Sequence, residues 1–447
     1  MKPASKRLPM PAPFGSRGTE LSLLCLILAG CPSRVPSPPP PLPPAQETAP
    51  SPPPVPQPPP LPTIPYKRMD TLRMFNGVQV KTNFTAEFGG TATTERESPS
   101  SYELDLQLRV RVPQAHKSLE DLHKLNPELG SVLPWLENSL KDASISPLFE
   151  EFYKRKVASL QSNLNRLDSL LSRHNFFDIE TLLELRNPAT NRRALLIQSD
   201  MDVDTDGSDG DRVAKLDEKE NSSTFQPFTS YRWQKKTATP NPYLAVWEKR
   251  LKENEKSLAT PGLNAARQKE LRDQQAELKT QIADLKKHSF LIGTLDPFIV
   301  LPLPAVSRKE GTPAARVGDY CVLIHGNRLF PAVVGDAGPS IKSGEASLRL
   351  CQLLNPKSNP GARAESDLRV TYLVFPETAT SPREPIHLEK LWLRCRELLG
   401  EMGGYWGDLV YVENALHPPA RPAWNERGFI GPVEEPVGPP APDMGNK

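Results

Sequence analysis

The stretch Val333-Val-Gly-Asp-Ala-Gly-Pro-Ser-Ile-Lys-Ser-Gly-Glu-Ala-Ser-Leu348 joins two apolar elements through a connection punctuated by Gly335, Gly338 and Gly344, and it carries two carboxylates, Asp336 and Glu345. Upstream, Tyr320-Cys-Val-Leu-Ile324 and Leu329-Phe-Pro-Ala-Val-Val334 are apolar, β-branched runs. They flank His325-Gly-Asn-Arg328, where Gly and Asn are suited to positive φ, so a β-hairpin is predicted with Asp336 just past the end of its second strand. Downstream, Ala346, Leu350, Leu353 and Leu354 recur at helical spacing and Ser343 stands where an N-cap belongs, which predicts a helix with Glu345 in its first turn.

A strand end and a helix start joined this closely bring both carboxylates to one rim of a cleft. That layout suits acid and base chemistry at a glycosidic bond, where one carboxyl gives a proton to the leaving oxygen and another, ionised, activates water or attacks. A helix N-terminus favours an ionised Glu345 and opposes an acid role, so enclosure and the charge of Asp336 would have to outweigh it. Taken alone, the same two residues also suit an Asx turn and a complement to a helix dipole.

Read as Gly335-Asp336-x-Gly338-Pro339 and Gly344-Glu345-Ala346-Ser347, the stretch resembles the active-site segment of the fungal-type chitosanases, family 75 of the glycoside hydrolases. The resemblance extends in order to Ser199-Asp-Met-Asp-Val-Asp-Thr-Asp-Gly207, Leu295-Asp-Pro-Phe-Ile-Val-Leu-Pro302, Val317-Gly-Asp-Tyr320 and Val370-Thr-Tyr-Leu-Val-Phe-Pro376. It implies an endo-acting, inverting hydrolase of β-1,4-glucosamine linkages in chitosan, with Asp336 as base, Glu345 as acid and no cofactor. It also implies that the acidic run lines the substrate region, so Asp202, Asp204 and Asp206 are expected substrate contacts. The turn from Gly-Asp-x-Gly-Pro into a helix is also similar to the double-psi β-barrel hydrolases. A non-catalytic glycan-binding lipoprotein and a peptidoglycan-cleaving enzyme on a similar barrel remain the alternative readings.

The 447 residues include 51 prolines, concentrated in tails that bury no core, and the net charge of +2 gives no global field for nucleic acid. Lys2, Lys6, Arg7 and Arg17 precede the short apolar run Leu21-Ser-Leu-Leu-Cys-Leu-Ile-Leu-Ala-Gly30, which reads as an export signal over residues 1–30. It ends in Leu28-Ala-Gly-Cys31, similar to a bacterial lipobox. Cys31 is therefore the expected lipidation site and a membrane the expected partner, with the protein exported to a periplasmic face or cell surface. Residues 31–65 read as a polyproline II spacer, at about 3.1 Å per residue.

Within residues 66–190, the runs Gly77-Val-Gln-Val-Lys-Thr-Asn-Phe84 and Tyr102-Glu-Leu-Asp-Leu-Gln-Leu-Arg-Val-Arg-Val112 predict a half-buried β pair, and leucines recurring from Leu119 to about Leu185 predict helix. The catalytic domain is placed at residues 191–412. Ala194-Leu-Leu-Ile197 reads as a short buried strand. Asp202-x-Asp204-x-Asp206-Gly207 has the spacing of a calcium loop, but Val213 stands where its last ligand, a Glu, belongs, and no metal ligands are assigned.

Tyr231 and Trp233 are candidate sugar-stacking rings. Residues 241–290 interrupt the resembling blocks: Leu271, Leu278 and Leu285 lie at heptad spacing and Pro261-Gly262 breaks the stretch, predicting an inserted antiparallel helical hairpin. Ile386 to Met402 predicts an amphipathic helix, Leu409-Val-Tyr-Val412 a last strand, and residues 413–447 a Pro-rich disordered tail. Cys321, Cys351 and Cys395 read as buried thiols. The fold class is α+β: a mainly-β catalytic domain, double-psi β-barrel-like, with a helical subdomain and the inserted hairpin.

Overall fold

The computed structural model describes residues 91–101, 108, 110–164, 166, 177–214, 221–306 and 314–416. The signal, lipobox and polyproline readings, the strand at Gly77–Phe84, nearly all of that at Tyr102–Val112 and most of the Pro-rich tail lie outside these residues; the three described positions at the end of the second run, residues 110–112, are irregular.

The fold is organised on β3 (Arg193–Asp204), twelve residues long and almost wholly buried, in place of the short strand expected at Ala194–Ile197. Its residues alternate: Leu195, Ile197 and Met201 enter one apolar core, and Ala194 and Leu196 enter another. Asp200, Asp202 and Asp204 therefore share the face of Leu196, because side chains along a strand alternate with period two. Asp202 and Asp204 being in a ladder, the geometry of a calcium loop is not formed there.

β3 pairs antiparallel with β10 (Glu365–Val374) along one edge. Along the other edge its first half pairs with β2 (Ile179–Arg186) and its last three residues pair in parallel with β9 (Glu345–Ser347). β10 continues to β7 (Tyr320–His325), β7 to β8 (Arg328–Gly338), β8 in parallel to β6 (Phe298–Pro302), and β6 to β9, so the six strands β3-β10-β7-β8-β6-β9 close into a barrel. Closure leaves these strands no free edge over their paired lengths. β1 (Ser144–Ile145) extends the sheet from β2, β11 (Asp408–Leu409) pairs with β8, and β4 (Arg232–Gln234) with β5 (His288–Phe290) forms a separate ribbon.

The hairpin between β7 and β8 forms as its sequence predicts, with Gly326 at φ +58°, while Asn327 needs no positive φ. The barrel interior holds Ile197, Ile299, Leu323, Val334, Ala346 and Tyr372, joined by Phe149, Phe152 and Tyr153 of α5 (Pro147–Ser162). The outer layer is built by α10 (Leu388–Met402), whose Leu391, Cys395, Leu398 and Leu399 face Val322, Ile324 and Val333. Around it stand α2 (Leu119–Leu125), α3 (Leu129–Val132) and α4 (Leu136–Asp142). Remaining helices are α1 (Ala92–Glu97), α8 (Leu303–Val306), α9 (Leu348–Leu354) and the pair α6 (Leu244–Leu258) and α7 (Ala265–Lys287).

Three local expectations are corrected by partners distant in sequence. The helical run from Leu119 does not reach Leu185: Leu182, Leu183 and Leu185 lie in β2, where pairing with β3 overrides their spacing. Asp336 is inside β8, not past its end. Glu345 is in strand β9, held between β3 and β6, and the helix that follows is α9, capped by the Ser347 hydroxyl and not by Ser343.

The helical hairpin expected within residues 241–290 is present as α6 and α7 around Pro261 and Gly262, which adopts φ +82°. Its base is a small core of Tyr243, Trp247, Ile282, Leu285 and Phe290, against which Phe225 and Phe228 pack. Cys321, Cys351 and Cys395 are free and buried, as expected.

Candidate active site

One row of the barrel carries the site. Asp202 of β3 is in register with Glu345 of β9, Glu345 with Val300 of β6, and Val300 with Asp336 of β8. With neighbouring strands about 4.8 Å apart, the Cα atoms of Asp336 and Glu345, two strands from each other, stand roughly 10 Å apart. Both share the face of their common partner Val300, which belongs to the outer core, opposite the interior filled by Ile299, Val334 and Ala346.

Asp336 owes its direction to a bulge. Phe298 and Ile299 pair with Val333 and Val334, but Val300 pairs with Asp336, so Gly335 is the extra residue. A Cβ on Gly335 would come within 2.6 Å of the Phe298 side chain, which reserves the position for glycine, and its carbonyl accepts from the Tyr231 N–H at 2.8 Å. At the other carboxylate, Gly344 has φ +70°, and a Cβ there would come within 2.2 Å of the Asp200 carboxylate; the Gly344 carbonyl accepts from the Asp202 N–H at 2.7 Å.

The two carboxyls meet different partners. Oδ1 of Asp336 accepts from the Ser230 N–H at 2.9 Å, the Ser230 hydroxyl at 2.5 Å and the Ala337 N–H at 2.7 Å. Burial raises the Asp336 pKa, and these three donors oppose the rise. Oε1 of Glu345 meets Nζ of Lys342 at 2.6 Å, and the same ammonium lies 3.5 Å from Oδ2 of Asp202. Burial likewise raises Glu345, with Asp202 and Asp336 adding repulsion and Lys342 pulling the other way. Burial works against the charge on Lys342, but Glu345 and Asp202 outweigh it and raise its pKa.

The acidic run divides. Arg363 bridges Asp200 and Asp202, and Asp202 is only 2% exposed, so it meets Arg363 and Lys342 in place of an incoming chain. Asp204 and Asp206 turn toward Asp336, with one carboxylate oxygen from each of the three within 4.8 Å of the others. Asp204 is pushed well above the usual carboxylate range by burial and then by Glu345 and Asp336, and Asp206 by burial and then by Asp204. Three such oxygens could touch a cation, but a hard cation usually takes six or more.

Tyr231 and Trp233 are 7% and 3% exposed and belong to the outer core, with Arg383 over one ring and Arg212 over the other, so neither presents a face to a sugar. Lys342, Ser230 and Arg363 were not singled out from the sequence. Lys342 lies in the loop before Glu345 and Ser230 precedes Tyr231, but neither they nor Arg363 carry a local sequence signal of their own.

Carboxyls two strands apart, one gripped by hydroxyl and amide donors and one by an ammonium, stand in inequivalent surroundings, the condition under which two carboxyls can divide acid and base roles. No curated protein matches the chain. Residues 201–390, which include Asp204, Asp206, Asp336 and Glu345, match the family model described as fungal chitosanase of glycosyl hydrolase group 75. Over this segment the match supports a chitosanase-type assignment and indicates a glycoside hydrolase.

Proposed function

We propose that the protein is an exported endo-chitosanase that cleaves β-1,4-glucosamine linkages by inversion, with Asp336 as general base and Glu345 as general acid. The observation that carries the roles is the difference in partners. Three donors converge on one Asp336 oxygen and stabilise its ionised form, as a base needs. Glu345 is buried beside Asp202 and Asp336, which favours its protonated form, and its ammonium partner is shared with Asp202. A Cα separation of roughly 10 Å leaves room for carboxyls about 6.5 to 9.5 Å apart, the gap an inverting enzyme fills with its attacking water.

The substrate follows from charge. Chitosan is cationic in mildly acidic water, and the site gathers Asp204, Asp206, Asp336 and Glu345, with the ammonium of Lys342 beside Glu345. The two parallel pairs of the six-stranded barrel, β3 with β9 and β6 with β8, support a double-psi plan. Anchoring through a lipidated Cys31 rests on the Leu28-Ala-Gly-Cys31 motif; among the described residues no helix is long and apolar enough to cross a membrane.

The test is a reducing-end assay on partly acetylated chitosan, chitin and peptidoglycan, with NMR detection of the anomer first released. Asp336→Asn and Glu345→Gln are expected to lower turnover on chitosan by about two to four orders of magnitude while the protein stays folded. Efficient cleavage of peptidoglycan or neutral chitin, or release of the retained anomer, would overturn the reading. Mass spectrometry of the mature N-terminus tests the anchor.

A further inference from the structure

Lys156, on α5 outside the segment that matches the family, is 1% exposed, and its ammonium meets Oδ2 of Asp178 at 2.9 Å. Oδ2 of Asp178 also accepts from the Ser343 N–H at 3.1 Å, and the Asp178 carbonyl accepts from the Ser199 hydroxyl. Ser343 lies between Lys342 and Gly344. Successive peptides before Glu345 are thus held from two sides, Ser343 through its N–H by Asp178 and Gly344 through its carbonyl by the Asp202 N–H.

We propose that Lys156 and Asp178 are positioning residues for the Lys342–Glu345 pair, so that the helical region preceding the matched segment takes part in the chemistry. This rests on the reading of Glu345 as the acid. A buried ion pair is poor evidence for stability, because an apolar pair of similar volume commonly does as well or better. Here burial drives Lys156 down and, despite its ammonium partner, Asp178 up to about 6. What the pair supplies is an acceptor of fixed direction for one amide of the catalytic loop. The charged groups around Glu345 include Lys342 from its own loop, Asp202 and Asp204 from β3, Asp206 just past β3 and Asp336 from β8, with Arg363 behind Asp202.

The experiment compares Lys156→Met with wild type and Glu345→Gln, measuring kcat, KM and the pH profile of kcat on soluble chitosan, normalised to folded protein. A displaced acid is expected to lower kcat by about ten- to a hundred-fold, the scale for a group misplaced by around an ångström, with KM changed less than about two-fold. Release of Glu345 from Lys342 raises its pKa, so the basic limb of the profile is expected to move up. If Lys156→Met does not fold, the double variant Lys156→Met with Asp178→Asn leaves no uncompensated buried charge and is read the same way. An unchanged kcat and basic limb, with only the melting temperature lowered and Glu345→Gln inactive, would overturn the positioning role and leave the acid assignment standing. An active Glu345→Gln would overturn both.

Discussion

Replacing Lys342 with Met tests the electrostatic account of the acid most directly. The ammonium stands 2.6 Å from Glu345 and 3.5 Å from Asp202, and its side chain is 17% exposed, so the contact is largely shielded from water. Two unit charges about 4 Å apart at an effective dielectric near 20 interact by about 4 kcal/mol. Sharing with Asp202 and entry of water into the vacated volume reduce what Glu345 loses to roughly 1 to 2 kcal/mol, which is about one pH unit. A general acid works only below its own pKa, so raising that pKa carries activity to higher pH.

The basic limb of kcat on chitosan is therefore expected to move up by about one pH unit. Stability moves with pH as well. Asp204, Asp336 and Glu345 all titrate above their ordinary values of 3.8, 3.8 and 4.5 when folded. The folded state holds more protons than the unfolded chain in that window, so stability is present at low pH and falls as pH rises through the folded pKa values. Loss of Lys342 widens the window, so the drop in melting temperature should be small near pH 4 and larger at pH 7. A basic limb that stays or moves down, with a melting deficit independent of pH, would refute the reasoning.

Ser230→Ala removes the hydroxyl donor to Asp336, which raises the pKa of the base. The acidic limb of the profile should then move up, because a base works only above its pKa, and an unmoved limb would show that Ser230 does not hold Asp336. Gly344→Ala places a Cβ within 2.2 Å of the Asp200 carboxylate at φ +70° and should abolish activity, the strain and clash costing upward of about 2 kcal/mol in a chemical denaturation curve. Replacing residues 252–277 by a short Gly-Ser loop keeps the hairpin base of Tyr243, Trp247, Ile282 and Leu285 and should leave hydrolysis within about two-fold of wild type, since Asn254, Glu255, Gln274, Gln275 and Glu277 bond to partners within the hairpin itself. Lost activity in a folded variant would make the hairpin tip part of the substrate cleft.

From sequence alone, elements whose signal is local could be read: the hairpin from Tyr320 to Val334, the helical pair around Pro261-Gly262 and the helix ending at Met402. In each, alternation or helical spacing and a turn residue agree within one short window, so propensity and tertiary burial point the same way. The acidic residues of the site were also legible, because Asp204, Asp206, Asp336 and Glu345 stand in motifs with their glycines. What surrounds each carboxyl was not. Glu345 looks like the first turn of a helix until β3 and β6 claim it as a three-residue strand too short to carry a period. Tyr231 and Trp233 have the chemistry of sugar platforms, yet the packing of the outer core takes their faces.

Of the partners that decide charge, only Lys342 is local, three residues from Glu345; Ser230 for Asp336, Arg363 for Asp200 and Asp202, and Lys156 for Asp178 come from segments brought together only by the tertiary fold. Hydrogen bonds and ion pairs between side chains distant in sequence leave no periodic trace in the chain, because each depends on the register of strands and not on spacing along one of them.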